Sequence, residues 1–405
     1  MKPLRDLLDA IHPHVSEGGR FRIFGSMYEA IDTLAFSPGF QTRTASHVRD
    51  GLDYKRMMFL VVMALGPCLV LGVWNVGYQA SLAIGAGAVP LQDWQNSLFQ
   101  AVGGQYDAGN PLWCLLLGLL YFGPVFLVVH VVGLGIEIIN AQIRNHEVTE
   151  GFLVTGALLP LILPPTIPLW QVALGTAFGL IIGKEVFGGT GMNFLNPAMV
   201  CRAFLFFAYP AYMSGDAPWI AADHMGVDGF SGATWLAQAA AREGALFDAS
   251  WFSAFIGTVP GSMGETSALA CLIGAGLLIT TGVGAWRTML GTLVGTIVMA
   301  TFLNVVGSET NPMFAVPWYW HIVLGGWALG TVFMTTDPVS SAYTVTGKLF
   351  YGFGIGVLVV IIRCINPAYP EGMMLAILFM NMFAPLIDHF VIQRNIARRL
   401  ARSGA

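Results

Sequence analysis

The sequence has little charge. Of its 405 residues only 10% are Asp, Glu, Lys or Arg, against about 25% in a soluble domain. The net charge is −4, too small to suggest a nucleic-acid-binding surface. Cysteine is sparse as well. Cys68, Cys114, Cys201, Cys271 and Cys364 lie far apart, and neither C-x-x-C nor C-x-x-C-H occurs. That argues against an all-cysteine iron–sulfur site, a zinc ribbon or an attached c-type haem within this chain. Single cysteines in apolar runs read as small core residues. No G-x-G-x-x-G follows a strand. Gly133-Leu-Gly135, Gly282-Val-Gly284 and Gly352-Phe-Gly354 fall in apolar runs read as helices, where glycine serves close packing. The chain is therefore not expected to bind NADH itself. The first 56 residues are polar and carry no h-region or cleavage signal.

Apolar residues are what the chain has in excess, at 55% with a mean hydropathy of +0.67, the composition of a membrane protein. A spanning helix takes roughly 20 apolar residues. Ten segments qualify as candidates: 57–77, 112–136, 152–164, 169–186, 193–213, 267–285, 288–306, 318–335, 347–364 and 372–391. The third is short and ends on Pro164-Pro165, and the eighth runs into "TTDP". Both read as broken or re-entrant helices, tolerated where the freed backbone faces protein or a cavity. With ten crossings, sixteen of the nineteen Lys and Arg residues fall on one side. The positive-inside rule then places both termini in the cytoplasm and the 214–266 loop in the periplasm.

Two stretches echo each other. "GALLPLILPPTIP" precedes a span and "NFLNPAMVCRAFLFF"; "GTVFMTTDPVSSA" precedes a span and "CINPAYPEGMMLAILF". Five spans per half make the second copy inverted, an arrangement that puts sites near the midplane at half-helix ends. The expected fold is all-α and polytopic: about ten transmembrane helices in two inverted five-helix repeats with broken half-helices, similar to ammonium and urea channels. The expected organisation is a cytoplasmic arm (1–56), a first repeat (57–213), a periplasmic loop (214–266), a second repeat (267–392) and a basic tail (393–405). Leu4, Leu7, Leu8 and Ile11, then Met27, Ile31 and Leu34, give the arm amphipathic helices. These suit a membrane surface or a neighbouring protein of a complex.

Thr234 ends the run "DGFSGAT" on the long loop. A turn is the ordinary reading of such residues. Asp228 three positions before Ser231, followed by Gly232, Ala233 and Thr234, matches the pattern at which flavin transferases join FMN through its phosphate to a Thr hydroxyl. Small residues there let the modifying enzyme grip an extended backbone. Three acids lie at or in spans, where a carboxylate costs about 2.5–3.5 kcal/mol. Glu137 and Asp388, near span ends, read equally as ion-path groups and as interfacial acids or partners of Arg202 or Arg363. Asp337, beside a helix break, reads as part of a sodium path with hydroxyl ligands from Thr335, Thr336 and Ser340. The competing role is a cap on the N–H groups after Pro338. Asn193 and Asn196 either cap the fifth span or hydrogen-bond an isoalloxazine ring. His130, His321 and His389 show no spacing that requires haem and read as packing residues.

The stretches "SHVRD" (46–50), "HEVTEGF" (146–152), "PPTIPLWQ" (164–171), "KEVFGGTGMNFLNPA" (184–198), "FLFFAYPA" (204–211), "DGFSGAT", "TDPVS" (336–340) and "NPAYPEGMMLAILF" (366–379) carry a resemblance over nearly the full length. The chain resembles the family of membrane proteins that includes the B subunits of bacterial sodium-pumping NADH:ubiquinone oxidoreductases and the D subunits of Rnf complexes. The long polar arm favours the former. The resemblance implies a translocase in the bacterial inner membrane with five further subunits (A, C, D, E and F). It implies covalent FMN on Thr234, placed there by a flavin transferase, and a non-covalent riboflavin, for which Asn193 and Asn196 are candidates. It also implies a site for ubiquinone. Gly133, which lets a flat ring approach, Phe152 as an apolar face and Glu150 at the mouth are candidates for that site. Asp337, Glu137 and Asp388 are candidates for a Na+ path. The alternatives are a member of an Rnf-type complex, a channel or secondary transporter without redox chemistry, and a structural anchor.

Overall fold

The computed structural model describes residues 2–15, 54–144, 151–224, 226–227, 230–241, 250–366, 369 and 371–403, with six isolated positions between 19 and 36. Glu150 and Asp228, like Met27, Ile31 and Leu34, lie outside the described residues. Among the described residues the structure is helical and no strand forms. Val89 and Asp223 exchange one pair of backbone hydrogen bonds, 3.0 and 2.8 Å.

The helices, in chain order, are α1 (Lys2–Val15), α2 (Tyr54–Gly85), α3 (Trp94–Ala101), α4 (Pro111–Arg144), α5 (Gly151–Leu161), α6 (Leu169–Gly183), α7 (Pro197–Ala208), α8 (Trp235–Ala241), α9 (Trp251–Ile256), α10 (Ala268–Thr280), α11 (Trp286–Val306), α12 (Val345–Ile365) and α13 (Met373–Ser403). Five of them, α2, α4, α11, α12 and α13, are long and apolar enough to cross a membrane. The helices α5, α7 and α10 are apolar but only 11 to 13 residues long. Side-chain caps fix where several helices start. Asn196 accepts from Met199 N (3.3 Å), Ser267 from Ala270 N (3.2 Å) and Thr344 from Gly347 N (3.0 Å), each satisfying one of the orphan donors of a first turn.

Both expected breaks are present. Past Leu161 the chain leaves the helix with Ile162 and Leu163 still buried. The carbonyls of Leu161 and Leu163 are satisfied by Gly264 N (2.7 Å) and Met263 N (3.0 Å). The second break divides 318–334 into short turns at Trp318–His321 and Trp327–Leu329 and a π-helical turn at Gly330–Met334. Arg363, fully buried, donates to the carbonyls of His321 (2.7 Å), Leu324 (2.8 Å) and Glu371 (3.0 Å). In each case protein groups meet backbone that lipid would leave unpaired.

Glycine sets the closest helix packing. Gly291 and Gly295 on α11 face Gly352 and Gly356 on α12, and a Cβ at any of the four would strike the facing backbone. The Trp327 indole closes onto this seam, donating to Thr296 Oγ1 at 2.9 Å. Gly282 and Gly284 differ from expectation. They form the turn after α10, Gly282 with φ +75°, rather than helix interior. Residues 262–266 are buried in the protein, with Met263 at 0% exposure. The last helix runs on to Ser403, so most of the basic tail continues it.

Candidate functional site

Two clefts lie at opposite ends of α10, a helix about 20 Å long by its residue count. The first has an open space of about 720 Å³ and is walled by Met57, Met58, Leu158, Leu278 and Phe333. Its polar lining includes Lys184, Thr190, Asn193, Asn196, Thr155 and Asp337. Residues from the start of α7 and from the second helix break therefore meet here, although some 140 positions separate them. Asn196 Nδ2 donates to Asp337 Oδ2 (3.4 Å), which also accepts from Ser340 Oγ (2.7 Å), while Val339 N donates to Asp337 Oδ1 (3.2 Å). Asp337 thus has the capping geometry and faces a cleft at once. Thr335 and Thr336 turn their hydroxyls back to the carbonyls of Thr331 and Val332 at 2.8 and 2.7 Å. Asn193 Nδ2 donates to Leu195 O at 2.9 Å. Beneath, Asn381 of α13 joins Tyr351 of α12; with the Asn381 amide turned, its oxygen accepts from Asn196 N at 3.3 Å.

The ionic partners differ from those expected. Glu137 lies inside α4 and pairs with Lys184, both buried. Its partner is neither Arg202 nor Arg363, because the turn after α6 carries Lys184 back against α4. Arg202 pairs instead with Glu265 (2.7 Å), and Ser262 Oγ donates to the same carboxylate (2.7 Å). Arg363 is committed to backbone carbonyls. Asp388 accepts from Tyr343 N (2.6 Å), Thr344 N (2.9 Å) and Thr344 Oγ1 (2.6 Å), holding the start of α12. The Phe152 ring, 1% exposed, occupies the space that a Cβ on Gly133 would need. His130 packs edge-on to the same ring at 5.6 Å.

The second cleft, about 350 Å³, is lined by Thr234, Trp235, Ser262, Glu265, Gly325 and Glu371 among others. Thr234 is 7% exposed, and its hydroxyl accepts from Ala237 N (3.3 Å). The residues before it are held from the other side. Ser231 Oγ donates to Asp216 Oδ1 (3.1 Å), and Gly232 lies against the His224 imidazole. The sequence reading missed Asp216, His224, Lys184 and Glu265. Only the last had a signal, since a buried arginine within a span needs acceptors, which Arg202 finds in a carboxylate and Arg363 in backbone carbonyls.

A helical membrane protein with polar sites at both ends of a short central helix is the class that this architecture defines. Within that class, the chain belongs to the NQR2, RnfD, RnfE family, whose model matches residues 41–397. It is 53% identical to the B subunit of the Na(+)-translocating NADH-quinone reductase of Chromohalobacter salexigens over 405 residues, covering 99% of this chain and 97% of the relative. Similarity to the proteins of that name from Pseudomonas aeruginosa PAO1 (54% over 408 residues, 99% and 100%) and Azotobacter vinelandii (53% over 407 residues, 99% of each) is equally complete.

Proposed function

We propose that this chain is the B-type membrane component of a sodium-translocating NADH:ubiquinone reductase, working with five further subunits (A, C, D, E and F) in a bacterial inner membrane. Full-length similarity to proteins of that name supports this over membership of an Rnf-type complex or a channel without redox chemistry. The observation that carries the cofactor reading is the Asp228-to-Thr234 motif, with the Thr234 hydroxyl on the wall of a cleft. FMN attached there by a flavin transferase and riboflavin in the larger cleft supply electron-carrying chemistry on the way to ubiquinone. The larger cleft suits a flavin because apolar walls flank a few convergent polar groups. Asn193 and Asn196 line this cleft, and exchange of their partners Leu195 O and Asp337 would free their amides for the ring's polar edge.

We infer further that the chain crosses the membrane ten times as two inverted repeats, with both termini cytoplasmic and Thr234 on the periplasmic side. Ubiquinone approaches at Gly133, Phe152 and Glu150, where displacement of the Phe152 ring opens the space beside Gly133. Asp337 is the central acid of the sodium path, with Glu137 and Asp388 nearer its mouth. In this reading Asp337 supplies negative charge at a break whose carbonyl dipoles favour a cation.

Thr234→Val tests the cofactor reading. In-gel flavin fluorescence of the denatured chain is expected to vanish while the protein still inserts, and mass spectrometry of the native chain should place FMN on the peptide containing Thr234. Fluorescence surviving in the variant would rule out this attachment point.

A further inference from the structure

Thr234 is nearly inaccessible, yet the cofactor reading requires another enzyme to modify it. The surroundings of residues 231–234 bear on that conflict. The segment 216–224 is a firm jaw. Thr166 Oγ1 donates to Pro218 O (3.0 Å), Trp219 Nε1 to Gly215 O (3.0 Å), and Asp223 exchanges both backbone bonds with Val89. Ile220 and Ala222 pack with Ala83 and Ala88 in a small apolar cluster of their own. On this jaw stands His224, 2% exposed. Its Nδ1 bonds Ala222 O (2.9 Å), which makes Nδ1 the protonated nitrogen. Its Nε2 is buried with no hydrogen-bond partner, an arrangement that costs free energy in a finished structure. That nitrogen faces Gly232, where a Cβ would overlap it, and lies 4.0 Å from Asp216 Oδ1. The same Asp216 oxygen accepts from Ser231 Oγ, and the Phe230 ring meets the imidazole edge-on at 5.7 Å.

We propose that His224 and Asp216 form a clamp that holds the Ser231–Ala233 segment closed, and that the flavin is attached to Thr234 while this clamp is open. The proposal rests on the reading of Thr234 as the attachment point. A modifying enzyme must take the target segment in extended form, and it cannot do so while Gly232 is seated on His224 and Thr234 caps α8. Closure after attachment then fixes the flavin at the cleft. The orphaned Nε2 makes the closed form shallow in energy, so opening is accessible. His224 and Asp216 are positioning residues and take no part in bond making. Attachment itself forms the Thr234 Oγ–phosphorus bond and breaks the phosphoanhydride of a flavin dinucleotide. AMP leaves, the hydroxyl proton passes to a base of the transferase, and no electrons move.

The test uses the whole complex, assembled in cells lacking the transferase and then supplied with transferase and flavin adenine dinucleotide. The time course of covalent fluorescence is followed in gels. His224→Ala, which removes the ring seated against Gly232, and the milder Asp216→Asn, which weakens the charged acceptor of Ser231 Oγ, are expected to raise the initial rate of attachment, the latter by up to roughly fivefold, the effect of one net hydrogen bond. The attached flavin should also become more open to quenching by iodide. A general loss of structure would also lower the melting temperature and the yield of assembled complex, so a faster rate at unchanged melting separates the clamp from mere damage. If His224→Ala does not assemble, Asp216→Asn carries the test alone. An unchanged or slower rate overturns the clamp. Fluorescence in a Thr234→Val control would instead overturn the attachment site itself, so the two failures are distinguishable.

Discussion

At the scale of single residues, the acids divide by what faces them. Glu137 and Lys184 are mutually neutralised in the interior. Glu137→Gln leaves a buried ammonium without its carboxylate and is expected to destabilise the protein by about 3–5 kcal/mol. Adding Lys184→Met should recover most of that loss, and thermal melting of the purified complex measures both. Asp337 is different, because it lines a cleft as well as bonding Ser340, Asn196 and Val339. Asp337→Asn keeps much of the capping geometry but removes the charge. Under the sodium reading it should weaken the apparent sodium affinity of quinone reduction by roughly tenfold, about 1.4 kcal/mol. An unaltered sodium titration would leave Asp337 as a cap only. The types of these residues were legible in the sequence and their partners were not. Nothing near Glu137 in the chain announces Lys184, which reaches it only because a turn after α6 doubles back.

At the scale of elements, apolar runs located the five helices that are long and apolar enough to cross a membrane, because periodicity and breakers are local signals. What the sequence concealed was the backbone pairing at the breaks, which depends on segments far along the chain. The α11–α12 seam shows how firmly such packing is specified. Gly295→Val would drive a side chain into the Phe353 carbonyl and should cost about 1–3 kcal/mol through overpacking. Gly276→Ala, with open space around its Cβ position, should be nearly silent in the same melting assay. Gly133→Val acts on a different pair. It displaces Phe152, and if ubiquinone enters there the quinone KM should rise with the flavin complement unchanged. Equal kinetics for variant and parent would reduce the pair to packing.

At the scale of the whole molecule, the proposed orientation puts the two clefts toward opposite faces of the membrane. All five cysteines are buried, so membrane-impermeant maleimides should label the native chain little. Ser231→Cys is expected to label from the periplasmic side and Arg398→Cys only from the cytoplasmic side. Labelling of both from one side would dismantle the ten-crossing arrangement. The loop as a polar excursion was legible in composition. Its return into the interior was not, since "GSMGET" carries no apolar run and is buried by backbone pairing. That pairing also has a consequence for biosynthesis. When α5 leaves the ribosome, the carbonyls of Leu161 and Leu163 have no donors, and the donors, Met263 and Gly264, emerge about a hundred residues later. The amino-terminal half must therefore wait in the insertion machinery, or hold α5 near water, until the chain's middle arrives. A polypeptide ending before residue 260 should accordingly be degraded rather than accumulate as a stable half.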